Sequence, residues 1–470
     1  MKKIAIIGGG VAGATTAISL GKLGLGVTLF EKEKSLVGGP PFCHLHAGGN
    51  LYREISDTQC IKLLKQSIDF AKFYPFVVDY RPTVIVLPKV DKSSLNMLLD
   101  RLGIIKNEYQ KLVNKDPSNG VLGEVENYYK IYSKDDLYRL KELEIKDNPK
   151  TQDDWIIPVA KNLDFNMVQF PIIMVNEFGL NLFRLASSAK LLIDTLDFVD
   201  LKLNVEITNI KRDKSGWSVE SKDGVEHFDY IINSAGFRTG TVDDMIGIPC
   251  KKMVEFKSAY VSYCKEYSNI KFPEIVFHGE RGTPNGMGQF TPYSNGHFQL
   301  HAMTTDITLY KNGLVSNSPK SCQPKLDKSF ITKIEKEWDK DEIEDRTNRA
   351  IEHISKFIPK FKDAQVASKP LFGAQQIVGD DPTLRVAEVS FPVPYYARCE
   401  IVKVSSVIDM VDRILDDLVE LKILDTKPSK IDSNILDKID NQKIDTKSKE
   451  LAQTRGYPSS LGELVNGVNL

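Results

Sequence analysis

The sequence predicts an α/β fold divided into more than one domain, and three observations carry that expectation. A continuous apolar strand, Ile4 to Ile7, runs into a glycine loop and then a helix, Ala12 to Leu23. After a turn at Gly24, Leu25 and Gly26, a second apolar strand, Val27 to Phe30, ends at Glu31. Unbroken apolar strands joined through a helix are the mark of a parallel sheet buried on both faces. The chain is also 470 residues long, more than one simple core usually holds.

The glycine loop gives this β-turn-α-turn-β unit its chemistry. Gly8, Gly9, Gly10, Val11, Ala12 and Gly13 match G-x-G-x-x-G, placed after a strand and opening a helix, with an acid at Glu31. Gly8 suits the tight turn, Gly10 the approach of backbone to a pyrophosphate, and Gly13 the close packing of helix on strand. The helix N-terminus presents unpaired N–H groups and a positive dipole end to phosphates. Glu31 is placed to accept hydrogen bonds from ribose hydroxyls. The expectation is a Rossmann-type dinucleotide site.

Farther along, the segment from Gly38 to Gly49 is too rich in Gly and Pro for a helix and reads as a loop carrying His44 and His46. Helical spacing returns from Ser56 to Phe73. The stretch from 80 to 165 mixes short strands, such as Thr83 to Leu87, with polar helices. A strong helix spans 181–196, followed by strands at Val205 to Ile210, Gly216 to Ser221 and Glu226 to Ile232. Residues 250–365 begin strand-rich, including Phe298 to Met303, and become helical and charged. Val404, Val407, Ile408, Val411, Ile414, Leu415 and Leu418 define another helix. Past Lys427 the polar, repetitive composition predicts a weakly packed or disordered tail.

Composition narrows the function. Hydrophobic residues at 41% and charged residues at 27% are ordinary for a soluble enzyme, and a net charge of −1 gives no field that would attract nucleic acid. Six separated cysteines without a CxxC pair fit neither a zinc site nor a disulfide framework, so no metal is expected. Met1, Lys2 and Lys3 lead straight into the glycine loop without a cleavage pattern. No stretch approaches the roughly 18 apolar residues of a membrane span. The expected location is cytoplasmic, with peripheral membrane association left open.

With these residues in place, the chain resembles the D-amino-acid-oxidase-like flavoproteins, and within them the malate:quinone oxidoreductase and 2-hydroxyglutarate dehydrogenase branch. The resemblance runs from Ile4 to Gly13 and on through Glu31 and Lys32. It resumes at the helix 181–196 with Val205 to Ile210, continues through Tyr230 to Ala235 and Gly236, and ends in Ile358, Pro359 and the stretch Leu371 to Leu418. The resemblance implies FAD as cofactor, held by Gly8, Gly10, Val11, Ala12, Gly13, Glu31, Lys32, Val205, Ala235 and Gly236. It further implies an FAD domain assembled from 1–80, 165–250 and 365–425. An α+β substrate domain would come from 81–164 and 251–364, and 426–470 would be the polar tail. The implied activity is oxidation of a small hydroxy or amino carboxylic acid, with quinone, oxygen or a protein as electron acceptor.

Two features depart from that pattern. Gly38 to Gly49 replaces a Ser-rich stretch, and Tyr395 to Glu400 replaces a glycine-rich loop. His46, Ala47, Gly48 and Gly49 are similar to the His-Ala-Ala-Gly stretch through which sarcosine-type dehydrogenases attach FAD covalently, which makes His46 a candidate cofactor residue. Arg385 and Arg398 fall in the part resembling a substrate-facing wall, where a guanidinium fork suits a carboxylate. His297 and His301 share one face of a strand, and His301 is a candidate base. Two other readings stay open: an FAD-dependent hydroxylase or isomerase, and a non-catalytic flavin-binding module. With no second G-x-G-x-x-G, a reductase binding two nucleotides is not expected.

Overall fold

A computed structural model describes residues 2–40, 44–49, 55–93, 95–214, 216–384, 386–428 and 439–467. Two sheets dominate it. The first has six strands in the order Val389–Val393, Tyr396–Cys399, Tyr230–Asn233, Lys3–Ile7, Gly26–Glu31, Val199–Leu203. Its strands are parallel except for the antiparallel edge pair Val389–Val393 and Tyr396–Cys399. Lys3–Ile7 lies at the centre, with Ile4 opposite both Val27 and Tyr230. The chain leaves it toward Gly26–Glu31 on one side and returns at Tyr230–Asn233 on the other. Beyond Ile7 the connections diverge and open a crevice, the place where doubly wound sheets take their ligands. The α/β architecture with a Rossmann-type unit from discontinuous segments is thus observed.

The second sheet has ten strands. Along its main path lie Leu314–Ser316, Lys252–Tyr263, His297–Ala302, Gly288–Pro292, Glu274–Phe277, Thr83–Val86, Ile172–Val175 and Tyr129–Tyr132. Gln365–Val366 and Leu371–Val378 also pair with Lys252–Tyr263. Three stretches therefore belong to this sheet although sequence order placed them with the cofactor domain: Ile172–Val175, Gln365–Val366 and Leu371–Val378. Ile172–Val175 is a buried apolar run that fits either sheet, and only pairing assigns it and the other two. A small antiparallel sheet of Ile207–Asp213, Gly216–Ser221 and Gly224–Phe228 completes the cofactor side.

The helices follow their apolar periodicity. Val407–Glu420 buries Val407, Met410, Val411, Ile414, Leu415 and Leu418, one face at three- and four-residue steps. Leu182–Ile193 is capped by Asn181, whose Oδ1 accepts from the N–H groups of Phe183 and Arg184 at 3.0 Å each.

The expectation of a loose tail is corrected for 439–467. Asn441–Thr454 is a helix that buries Ile444, Ser448 and Ala452, four residues apart on one face. Arg184 donates to Asp445, and also to Asn441 Oδ1 at 2.6 Å. Asn181 Nδ2 donates to the carbonyls of Leu461 and Glu463 at 2.8 and 2.9 Å. Composition misjudged this segment because its buried stripe is short and partly polar.

Candidate functional site

The glycine loop behaves as its spacing requires. Gly8 has φ +101°, and a Cβ there would lie 2.6 Å from the Ser234 carbonyl oxygen and 2.8 Å from Ala235 Cα. A Cβ on Gly13 would come within 1.9 Å of Gly8 O, so the helix Val11–Lys22 approaches the turn as only glycine allows. Gly10 is different. Its Cβ would meet nothing within 4 Å, and it caps the helix without a side-chain acceptor for the first amides. An open space facing unpaired amides is the cradle a pyrophosphate needs. Ser234, overlooked in the sequence, latches the turn: its Oγ donates toward Gly8 O at 2.8 Å and Ile7 O at 3.0 Å.

Glu31 points back at this loop. One carboxylate oxygen accepts from Gly9 N at 2.6 Å and the other from Glu33 N at 2.8 Å, and each keeps room for a further donor. Burial raises its carboxyl above the ordinary range, an effect the two backbone donors partly oppose. Val205 N donates to Glu31 O at 2.9 Å. Lys32 pairs with Glu335 across a shallow hollow that Asn204 also lines.

A cavity of about 550 Å³ opens from the cradle. Gly10, Val11, Ala12, His46, Gly236 and His301 all line it, so six of the residues singled out from the sequence converge there. The loop before helix Val407–Glu420 contributes Val402, Lys403 and Val404. Facing the cradle, the ten-stranded sheet contributes Lys257, Arg281, Gln289 and His301. Lys257 Nζ lies 2.7 Å from Glu255 and donates to Gln375 Oε1 at 3.1 Å; Arg281 donates to the other Glu255 oxygen. Two cations thus share one carboxylate. Burial holds the His301 imidazole down at about 4, and Gln299 Nε2 lies 3.4 Å from its Nδ1. At neutral pH it is uncharged and able to take a proton.

Behind the wall runs a buried charged network absent from the sequence expectations. His44 Nδ1 is 2.5 Å from Glu274 Oε1, and Arg81 Nη1 donates to Glu274 Oε2 at 2.7 Å. Gln289 donates to the same carboxylate, Asp79 lies 3.4 Å from Arg81, and Glu177 accepts from Gly49 N. Burial alone would raise Glu274, but His44 and Arg81 outweigh it and hold it at about 2. The His44 and His46 rings pack at a tilt with centroids 4.5 Å apart, linking the network to the cavity. A charge heading an otherwise apolar strand, as Glu274 does before Ile275, Val276 and Phe277, was the one available signal.

Arg398 is a correction. It sits on the inner strand Tyr396–Cys399, buried, with Nη1 3.2 Å from Asp243 Oδ2 and Nε donating to Glu400 Oε1 at 2.8 Å. It does not line the cavity, although its neighbour Cys399 does. The two carboxylates occupy the fork that was expected to hold a substrate. Arg385 lies outside the described residues. His297 faces Ser460 at 2.9 Å, away from the cavity lining. Asp243 also gathers Cys250 and Cys322 within 4.8 Å, but Arg398 and the Tyr396 hydroxyl already use its oxygens.

No protein-family model matches the chain, and no curated protein matches it in sequence. Its shape does match solved structures. Glycine oxidase from Geobacillus kaustophilus aligns with a TM-score of 0.56 at 12% identity, over 92% of this chain and 97% of that one. L-amino acid deaminase from Proteus vulgaris aligns at 0.59 with 13% identity, over 94% and 96%. Glycerol-3-phosphate dehydrogenase from Bacillus halodurans, solved with FAD, aligns at 0.55 with 14% identity, over 100% and 82%. At these identities the likeness establishes a shared fold. None of the helices described is long and apolar enough to cross a membrane.

Proposed function

We propose that this protein is an FAD-dependent oxidoreductase that oxidises a small hydroxy or amino carboxylic acid. The observation that carries the reading is one continuous cavity with a pyrophosphate cradle on one wall and Lys257, Arg281 and His301 on the other. The fold shared with glycine oxidase and with the FAD-bound glycerol-3-phosphate dehydrogenase supports the choice of cofactor. The narrower likeness to malate:quinone oxidoreductase and 2-hydroxyglutarate dehydrogenase rests on the sequence resemblance.

When bound, FAD would supply the acceptor for two electrons and pass them to quinone, oxygen or a protein carrier. The chain's own residues do the rest. Gly10 and the first amides of Val11–Lys22 hold the diphosphate, with Gly8 and Gly13 shaping the turn; Glu31 and Val205 flank the adenosine side. His46 and Gly236 border the cavity where the ring system would lie. Lys257 and Arg281, both on the cavity lining and paired with Glu255, are the cations placed to meet a substrate carboxylate. Neutral His301 accepts the proton from the hydroxyl or amine being oxidised. Phe237, Met287 and Met303 give the cavity an apolar lining that limits water.

The test is anaerobic titration of the purified yellow protein with a panel of hydroxy and amino acids. Bleaching by a member of the panel is the expected result. Consumption of NAD(P)H would identify a hydroxylase instead, and a flavin that no metabolite bleaches would leave a binding module. Acid precipitation checks His46: a yellow pellet means a covalent link there, a colourless one a non-covalent contact.

A further inference from the structure

The segment 439–467 reaches back to the glycine loop through a single side chain. Arg455 ends the helix Asn441–Thr454, and Gly456 follows with φ +77°. Its Nη2 donates to Leu36 O at 2.6 Å and Ser35 Oγ at 2.9 Å, and its Nη1 donates to Val37 O at 3.0 Å. Those three residues lie against the cradle. Val37 N donates to Gly9 O at 3.0 Å, Val37 lines the cavity, and a Cβ on Gly9 would come within 2.6 Å of Leu36 Cδ2. Val37 has φ +54°, a left-handed conformation that a β-branched residue adopts only under constraint.

The arginine sits on a rigid base. Tyr457 OH donates to Pro370 O at 2.8 Å, and its ring packs on Phe183 with centroids 5.6 Å apart. Ser448 Oγ donates to Gly462 O at 2.7 Å. Among the described residues Arg455 bonds to no carboxylate; its donors go to two carbonyls and a hydroxyl of one loop. A planar fork held this way fixes several acceptors at once, which an ammonium cannot do.

We infer that Arg455 is a positioning residue of the dinucleotide site: it clamps Ser35–Val37 against the glycine loop, so that residues 439–467 set cofactor affinity. The inference rests on the FAD reading above. The experiment uses the full chain, stripped of flavin and titrated with FAD, with amide hydrogen exchange followed in parallel. R455A should raise the FAD Kd about tenfold or more, the scale of losing charge-assisted hydrogen bonds. R455K, which keeps the charge and spares the fold, should raise it by a smaller factor. Exchange at the Val37 amide should quicken in both. Y457F loses the Pro370 bond in the same segment without touching the loop, and should leave the FAD Kd unchanged. If Arg455 variants bind FAD like the wild type, or Y457F weakens FAD as much as R455A, the clamp is overturned. Wild-type protein that takes up no FAD overturns the reading of the site itself.

Discussion

The cavity wall formed by Gly10, Val11 and Ala12 belongs to one unbroken run, Lys3 to Glu31, in which strand, turn, helix and acid follow each other. The facing wall gathers Lys257, Arg281, Gln289 and His301 from three strands and a loop of the ten-stranded sheet, backed by His44 and Arg81 from far earlier in the chain. In the first wall each residue's role follows from its position in a local geometry. In the second, a side chain's role depends on which strand lies beside it. Local construction leaves a pattern of spacing in the sequence, and assembled construction leaves only residue types.

The comparison breaks most sharply inside the glycine loop. Gly13→Val would drive its side chain into Gly8 O, and loss of folded protein together with loss of flavin is expected. Gly10→Val enters open space, so the apoprotein should still fold while FAD affinity falls by about two orders of magnitude or more, the new side chain occupying the pyrophosphate's place. Thermal melting and flavin absorbance together check both. If Gly10→Val retains full flavin, the cradle is misplaced.

The assembled wall should fail in a different way. Glu274→Ala removes the carboxylate that Arg81 and His44 share in the interior, and removing one partner of a buried charged pair costs about 3–5 kcal/mol. Denaturant unfolding would register it as a fall in midpoint. Arg398→Ala should likewise lower stability, because Asp243 and Glu400 lose their shared cation. It should leave KM near wild type once flavin content is normalised. Lys257→Met should do the reverse, raising KM roughly tenfold with a small change in melting, since it faces the cavity. A KM effect at Arg398 and none at Lys257 would return the substrate carboxylate to the position expected from sequence.

The smallest effect is in pH dependence. His301 titrates at about 4 in the folded protein against an ordinary 6.5. Between those values the native state binds fewer protons than the unfolded chain, so stability rises with pH across the window and is lost as pH falls toward 4. His301→Gln should flatten that slope in melting curves taken across it. In kcat/KM of the wild type, the acid limb due to this base should lie near pH 4 rather than 6.5.

The sequence by itself determined the strand, turn and helix of the glycine loop, because the apolar runs fix strand and helix and Gly13 answers a contact with Gly8 O five residues before it. It also located His46, Gly236 and His301 well enough that all three reach the same cavity. Only the tertiary structure decided the rest. Arg398 looked free to hold a carboxylate until Asp243, 155 positions away, and Glu400 took its fork. Leu371–Val378 fell inside the stretch assigned by resemblance to the FAD domain, and only its pairing with Lys252–Tyr263 puts it in the ten-stranded sheet. The polar C-terminal segment gave no sign of reaching Ser35, Leu36 and Val37 through Arg455. A charge's partner and a strand's neighbour can lie more than a hundred positions away, as Asp243 does from Arg398, and spacing along the chain carries no record of such contacts.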